Sequence, residues 1–234
     1  MGEAAYVGTE LELFRHAVRW KRYFSGVLRP YVRGRVLDVG CGMGVNAEYL
    51  WNPAVSAYTF LEPDPDLLAQ VNAHVSTPAL RQAERIRGTT ADLEPGSRFD
   101  TVMYLDVLEH ISDSHAELRR ASDLLVPGGH LLVVVPAFNM LYSPFDKAIG
   151  HHRRYTRKLL RSELPSGTTI VRARYLDCLG ALLSLGNKLL LRNSAPTMAQ
   201  VLFWDRTIVP MSRVVDPLMF RSFGRSLISV VRKV

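Results

Sequence analysis

Cysteine is scarce in this chain, which has only two in 234 residues, Cys41 and Cys178. This count excludes a scaffold held together by disulfides and favours a reducing compartment. The cysteines and the seven histidines also lack the spacing of zinc ligands, so we expect no bound metal.

Long apolar runs and targeting signals are missing as well. The longest apolar candidate, residues 179–191, is interrupted by Asn187 and Lys188 and falls short of the ~20 residues of a membrane-spanning helix. The first ten residues hold two acids and no basic stretch followed by an apolar one. We therefore expect a soluble cytoplasmic protein.

Acidic residues are few in the second part of the chain. Residues 146–234 contain 16 Lys+Arg and 5 Asp+Glu, a net charge of +11, whereas residues 1–145 contain 13 and 17, a net charge of −4. A basic half of this kind could face nucleic acid, an anionic membrane or an acidic small substrate.

The chain does have a regular alternation of strand and helix patterns as far as Pro136. Apolar runs typical of strands buried on both faces are separated by helical stretches, which predicts an open, doubly wound α/β sheet. The sequence has no internal repeat and no low-complexity linker, which favours a single domain that spans residues 1–234. The predicted strands are 35–40, 58–62, 85–88, 100–105, 130–135, 168–175 and 226–232. The predicted helices are 13–27, 45–51, 66–74, one that begins near 114, and 156–164. We also predict a turn at 127–129 and a loop at 138–155.

A glycine-rich turn follows the first strand, where Asp38 is followed by Gly40, Gly42 and Gly44. Glycine lets the backbone turn sharply and come close to a ligand, and ligands of doubly wound sheets bind at the carboxyl ends of the strands. Glu62 ends the next strand 18 residues after Gly44, near the ~20-residue offset of an acid that binds ribose hydroxyls. No Gly-Lys-Ser/Thr follows, which excludes a P-loop. An acid without a nearby Lys or Arg suits a ligand that carries an ammonium group.

In these features the chain resembles the class I S-adenosylmethionine-dependent methyltransferases over roughly residues 12–136. The resemblance implies a Rossmann-like, mostly parallel seven-stranded methyltransferase sheet with a helical C-terminal elaboration, and S-adenosyl-L-methionine as cofactor. The motifs that carry it are Val36-Leu-Asp-Val-Gly-Cys-Gly-Met-Gly44, Glu62, Thr90-Ala-Asp92, Phe99-Asp100, Leu105-Asp-Val-Leu-Glu-His-Ile111 and Leu125-Val-Pro-Gly-Gly129.

The same resemblance implies which residues surround the cofactor. Turn or helix-capping roles stay open for Asp92 and Asp106. The implied cofactor residues are Asp38, Gly40, Gly42 and Gly44 at the methionine part, Glu62 with the following Pro63 at the ribose, Asp92 and Leu93 at the adenine, and Tyr104 and Leu105 beside the sulfonium, where Asp106 is also a catalytic candidate.

Within the single domain, residues 1–34 are the predicted N-terminal helical part and residues 35–136 the predicted cofactor-binding core. Residues 137–167 form the predicted substrate loop. A histidine can accept a proton from a protonated acceptor, and an arginine can bind a carboxylate or phosphate. A base-free reaction stays open, as does a structural pairing of Asp146 with Arg153 or Arg154. The candidates in this loop are His151, His152 and Tyr142 for catalysis, and Asp146, Arg153, Arg154 and Tyr155 for substrate binding.

Residues 176–223 are helix-rich, apolar and basic, and are interpreted as a helical lid or insertion. They could cover the substrate, form a dimer surface, contact a membrane peripherally or simply pack as core. Nucleic acid is disfavoured as a partner, because the arginines are scattered among leucines instead of alternating with exposed aromatics. The favoured function is in-line methyl transfer to a small natural-product, sugar-containing or lipid-like acceptor, anionic or apolar. A cofactor-bound cyclisation or rearrangement and a non-catalytic binding protein are the alternatives.

Overall fold

The computed structural model describes residues 9–190 and 196–234. At its centre lies a seven-stranded sheet whose strands are β1 (Gly34–Val39), β2 (Val55–Glu62), β3 (Glu84–Arg87), β4 (Phe99–Leu105), β5 (Leu125–Pro136), β6 (Thr168–Leu176) and β7 (Ser226–Lys233). The strand order is β3-β2-β1-β4-β5-β7-β6, and β7 runs antiparallel to both its neighbours. The predicted fold class, a mostly parallel doubly wound sheet, is confirmed.

Helices cover both faces of the sheet because its strands carry apolar side chains on both sides. Along β5, Leu132 and Val134 pack in one core with Phe24, whereas Leu131 packs in a second core with Leu118. The helices are α1 (Thr9–Phe14), α2 (Val18–Leu28), α3 (Ala47–Leu50), α4 (Pro65–His74), α5 (Pro78–Arg81), α6 (Ser114–Leu124), α7 (Pro144–Ala148), α8 (Arg157–Glu163), α9 (Cys178–Leu190), α10 (Met198–Phe203) and α11 (Val209–Leu218).

The N-terminal helix predicted over 13–27 is wrong as one element, since it is divided into α1 and α2. Its apolar stripe is nevertheless buried, with Ala17, Trp20 and Phe24 all in the core. The first turn of α2 is capped by the side chain of Asp205, which is distant in the sequence. The carboxylate of Asp205 accepts the backbone N–H of Trp20 at 2.8 Å and that of Arg19 at 3.2 Å. A cap of this kind satisfies N–H groups that the helix cannot bond internally, so the second helix can start here.

Two predicted irregular segments also differ in the structure. The predicted turn at 127–129 lies inside β5, where the pairing with β4 skips from Leu125 opposite Phe99 to His130 opposite Thr101. The predicted loop at 138–155 contains the short helix α7. Helix α7 begins here because Ser143 and Asp146 form a reciprocal capping box at its first turn.

The C-terminal helices form one connected unit beside the N-terminal ones. Trp204–Ile208 continues α10 into α11 as a π-helical segment, and α11 packs against both α9 and α2. Among residues 9–190 and 196–234, none of the helices is long and apolar enough to cross a membrane. Trp204 of this unit also lines the cavity at the carboxyl edge of the sheet.

Candidate functional site

A cavity of about 680 Å³ opens at the carboxyl ends of β1, β2 and β4. The strand order reverses between β1 and β4, and this switch point is where doubly wound sheets bind their ligands. Nine of the predicted site residues line the cavity: Gly40, Gly42, Glu62, Pro63, Leu105, Asp106, Asp146, His151 and Arg154.

The glycine turn forms the cavity wall after β1. Gly40 and Gly42 have φ angles of 62° and 54°, in the left-handed region that favours glycine. A Cβ atom at Gly40 would lie 2.9 Å from a methyl carbon of Val107, so this position also needs glycine for space. Gly44 lies behind the turn, where a Cβ would meet Val71 at 3.0 Å.

The buried carboxylate of Glu62 joins the turn to the end of β2. One oxygen accepts the N–H of Gly42 at 2.8 Å and the other that of Asp64 at 3.1 Å. Burial raises the pKa of this carboxyl, and the two backbone donors oppose that shift. Each oxygen keeps a lone pair for a ligand donor, which is the arrangement that a pair of ribose hydroxyls needs.

Asp38 lies beneath the glycine turn and does not line the cavity. Its carboxylate is fully enclosed and accepts the hydroxyl of Tyr58 at 2.8 Å. Burial raises its pKa to about 7 despite that hydrogen bond. In this structure Asp38 therefore links β1 to Tyr58 on the neighbouring strand β2.

At the far end of the cavity, Thr89 and Thr90 line the wall, whereas Asp92 and Leu93 do not. The carboxylate of Asp92 turns back to accept the N–H and hydroxyl of Thr89, each at 2.8 Å. These bonds lower the pKa of Asp92. The geometry shows a capping role for Asp92, the alternative that the sequence left open.

Tyr104 is buried behind the wall formed by β4. Its hydroxyl donates to Glu117 at 2.6 Å, and Thr90 donates to the same carboxylate at 2.9 Å. Arg120 bonds the second oxygen of Glu117 at 2.8 Å. Glu117 and Arg120 line the cavity themselves, so this network fixes the cavity wall beside Thr90.

Asp106 follows β4 directly and reaches the cavity. Its φ angle of 58° is unusual for a residue with a side chain, and its N–H donates to the carbonyl of Val134 at 2.8 Å. The carboxylate is open to the cavity, yet the protein around it raises the pKa of Asp106 to about 6 through desolvation. The positive charges of Arg225 and Lys21 oppose this rise.

The predicted substrate loop brings Asp146, His151 and Arg154 together at the cavity. Arg154 binds the Asp146 carboxylate with two bonds of 2.9 and 3.0 Å, and Ser143 adds two more. Nδ1 of His151 lies 2.9 Å from the same carboxylate. Although burial acts to raise it, hydrogen bonds from His151 and Arg154 hold the pKa of Asp146 well below its usual range. The ionised carboxylate can only accept, so Nδ1 of His151 carries the proton of this bond, and Nε2 is the acceptor of the ring in its neutral form.

The remaining predicted residues of this loop lie outside the cavity. Arg153 donates to Ser114 and to the carbonyl of Ser112. The Tyr142 hydroxyl donates to the His151 carbonyl at 2.6 Å and so positions that residue. His152 is exposed and donates its backbone N–H to the Glu109 carbonyl. Tyr155 is buried in the core.

Glu109 is a site residue that the sequence reasoning missed. Its carboxyl group is fully buried, lines the cavity and has no hydrogen-bond partner among the described residues. Burial raises its pKa well above the usual range. Nε2 of His151 lies 3.9 Å from Oε1 of Glu109, and the His110 and His151 rings meet edge to face at 4.6 Å. These three residues present ligand-type atoms within 4.8 Å of one another, which is the nearest arrangement to a metal site among the described residues.

Two cations of the cavity wall were also missed, because they lie outside the loop that the sequence favoured. Lys21 is buried, and burial lowers its pKa to about 8. Arg225 stacks over the ring of Trp204 at 4.6 Å and near that of Phe14. No carboxylate of the described residues lies within ion-pair distance of either cation. Lys21 and Arg225 are about 200 residues apart in the sequence, and the fold places both at the cavity.

The fold and the position of this cavity fit a methyltransferase domain. The chain belongs to the family described as methyltransferase domain, whose model matches residues 12–177.

Curated relatives include ubiquinone biosynthesis O-methyltransferases. That of Azorhizobium caulinodans is 33% identical over 123 residues, 52% of this chain and 47% of the relative. That of Xanthomonas euvesicatoria is 35% identical over 101 residues, 42% of this chain and 41% of the relative. The chain thus spans about half the length of the curated relatives it matches.

Solved structures of low identity share the fold. The N-methyltransferase NodS of Bradyrhizobium japonicum, in complex with S-adenosyl-L-homocysteine, has a TM-score of 0.61 at 14% identity, with 99% of each chain covered. The [4+2]-cyclase SpnF has a TM-score of 0.61 at 16% identity, with 97% of this chain and 94% of SpnF covered.

Proposed function

We propose that this protein transfers the methyl group of S-adenosylmethionine to a hydroxyl of a small molecule, with Nε2 of His151 as general base. The observation that carries this proposal is the bond between Asp146 and Nδ1 of His151, which leaves Nε2 of the neutral ring as the acceptor of a residue that lines the cavity. The curated relatives support a hydroxyl acceptor, because they are named O-methyltransferases.

Glu62 and the glycine turn are proposed to hold the cofactor. The Glu62 carboxylate would accept the two ribose hydroxyls, and Gly40 and Gly42 would let the backbone approach the methionine part closely. Asp106 would lie beside the reacting centre. When bound, the cofactor supplies a methyl group already activated on a sulfonium, so the protein mainly contributes alignment.

His151 would take the hydroxyl proton as the new O–C bond forms and the S–CH₃ bond breaks, with S-adenosylhomocysteine as the leaving group. A base is useful here because a protonated hydroxyl is a weak nucleophile, and an aligned base contributes about 10²- to 10⁴-fold to such reactions. Asp146 fixes the ring and its tautomer, and is itself held by Arg154. The neutral carboxyl of Glu109 would donate a hydrogen bond to the acceptor beside Nε2.

We further propose that the acceptor carries an anionic group. Arg154 cannot supply the attraction, because Asp146 neutralises it. Lys21 and Arg225 reach the cavity without a carboxylate partner among the described residues, so they are the cations available to bind a carboxylate or phosphate.

The experiment uses cofactor with a radiolabelled methyl group and a panel of phenols, catechols and hydroxylated aromatic acids. We expect methyl transfer to at least one anionic phenol, a loss of about 10²-fold or more in His151→Asn, and near-normal rates in His152→Asn, the exposed neighbour outside the cavity. Equal rates in both variants would contradict the role of His151. An unlabelled isomer as the product would instead support a rearrangement.

A further inference from the structure

Helix α11 has its apolar side turned away from the protein. Ser212 and Asp216, one turn apart, face inward and are completely buried. On the opposite side Met211, Val214 and Leu218 recur at steps of three and four and are exposed by 52%, 69% and 72%. A helix of a soluble protein normally shows the reverse arrangement, with its apolar stripe buried.

The orientation of α11 is fixed by its inward polar groups. The Asp216 carboxylate accepts the Tyr23 hydroxyl at 2.7 Å and the backbone N–H of Asp177 at 2.7 Å and of Cys178 at 2.9 Å. Ser212 donates to the side chain of Asp177 at 2.6 Å. Rolling the helix to bury its apolar stripe would break all of these buried bonds, so the stripe is held outward.

The turn after α11 extends the same apolar surface. Met219 is exposed by 50% and Phe220 by 90%, more than any other large apolar side chain described. Phe220 and Arg221 both have a φ angle of 52°, a conformation that costs about 1–2 kcal/mol for a residue with a Cβ. The Arg221 N–H donates to the Asp216 carbonyl at 2.9 Å, which holds the turn in place. We call Met211, Val214, Leu218, Met219 and Phe220 the outer stripe.

The charges around the outer stripe are positive. Residues 176–225 contain three acids, Asp177, Asp205 and Asp216, and all three are buried and bonded inside the protein. Arg206 and Arg213, by contrast, are exposed beside or within α11. An outward apolar stripe with cations and no exposed acid has the chemistry of a segment that lies in the interface of an anionic membrane.

We propose that the outer stripe, with Arg206 and Arg213, binds the surface of membranes that contain anionic phospholipid. The apolar side chains would enter the boundary between headgroups and acyl chains, while the two arginines meet the lipid phosphates. A second copy of the chain fits this surface less well. Symmetric pairing would bring the arginines of both copies together without an exposed acid of residues 176–225 to compensate them.

The surface adjoins the cavity. Trp204 lines the cavity and begins the π-helical segment that runs directly into α11. Membrane contact at the outer stripe would therefore hold the cavity close to the lipid surface. This inference does not depend on the proposed base or acceptor, because it rests on residues outside the cavity.

The test is co-sedimentation of the full chain with vesicles of phosphatidylcholine alone and of equal parts phosphatidylcholine and phosphatidylglycerol. We expect sedimentation only with the anionic vesicles, and weaker binding at high salt because ions screen the arginines. The double variant R206Q/R213Q should bind about 30-fold more weakly, at about 1 kcal/mol for each arginine near an anionic surface.

A second variant tests the apolar part. M211S/V214S/L218S changes only exposed side chains, and should bind anionic vesicles at least about tenfold more weakly. Val171→Ser on β6 and R98Q/R119Q are matched controls that remove exposed apolar or basic groups elsewhere, and they should bind like the parent. Unchanged S-adenosylhomocysteine binding, measured by calorimetry, establishes that each variant is folded.

Three outcomes would overturn the proposal. The first is a parent protein that stays in the supernatant with anionic vesicles. The second is equal loss of binding in the control variants, which would indicate a non-specific charge effect. The third is a dimer in sedimentation velocity that M211S/V214S/L218S abolishes, since the occupant of the outer stripe would then be a second copy.

Discussion

Nδ1 of His151 lies 2.9 Å from a carboxylate oxygen of Asp146, and the guanidinium of Arg154 lies at the same distance from that oxygen. One buried carboxylate therefore orients the ring that reaches the cavity and neutralises the neighbouring arginine. The loop that the sequence predicts for substrate binding is thus built around an internal ion pair, and His151 in the same loop lines the cavity.

Asp146→Asn should destabilise the protein by about 3 kcal/mol, because it leaves Arg154 buried without its partner. The folded-state pKa of Asp146 is depressed, so its contribution is present above the unfolded pKa of about 3.9 and is lost as the pH falls through the lower folded value. Urea unfolding of the parent and variant between neutral and acidic pH measures this. A difference that stays constant down to the lowest pH would contradict the assignment.

Glu62→Gln should weaken S-adenosylhomocysteine binding by about tenfold, because a charge-assisted bond is worth about 1.5–3 kcal/mol and part of it survives in the amide. Burial raises the pKa of Glu62, so the parent should also lose affinity as acidification protonates this carboxyl. Calorimetry across acidic to neutral pH checks both. Asp66→Asn, at an exposed position nearby, is the control, and an equal effect there would count against Glu62.

Gly40→Ala should abolish cofactor binding, since the added methyl would meet Val107 at 2.9 Å in a left-handed backbone. Gly96→Ala is the matched control. It has a positive φ angle of 90° but no atom within 4 Å of the added Cβ, so it should cost only about 1 kcal/mol of strain. Thermal unfolding and calorimetry separate the two, and similar binding in both variants would exclude a special role for the turn.

Asp205→Ala should remove the cap of α2 and lower the unfolding free energy by about 1–2 kcal/mol. Hydrogen exchange of the amides of Arg19 and Trp20 should accelerate most, because they donate to this carboxylate. Protection that is unchanged at these two amides would show that another group caps the helix.

Metal removal should leave methyl transfer unchanged if His151 acts as the base. Burial raises the pKa of Glu109 well above its usual range, so this carboxyl favours its neutral form, which is a poor metal ligand. Dialysis against EDTA followed by activity measurement tests this expectation. A loss that Mg²⁺ or Zn²⁺ restores would instead identify Glu109, His110 and His151 as metal ligands.

The strands were predictable because their signals are local. Apolar runs bounded by Pro63 and Pro136 gave the ends of β2 and β5 correctly, and the glycine turn marked the carboxyl edge of the sheet. The capping of α2 by Asp205 was not predictable, because the two partners lie 185 residues apart. Side-chain direction was equally hidden: Asp38 and Asp92 follow family motifs, yet both point away from the cavity. Glu109 carried a weak signal, an acid beside His110 after β4.

The most direct test of the central claim is product analysis with a deuterated methyl group on S-adenosylmethionine, using the best anionic phenol of the panel. We predict a product that has gained one labelled methyl group on oxygen, formed at a strongly reduced rate by His151→Asn and at the parent rate by His152→Asn. A product of unchanged mass, or a labelled product formed equally fast by His151→Asn, would contradict it.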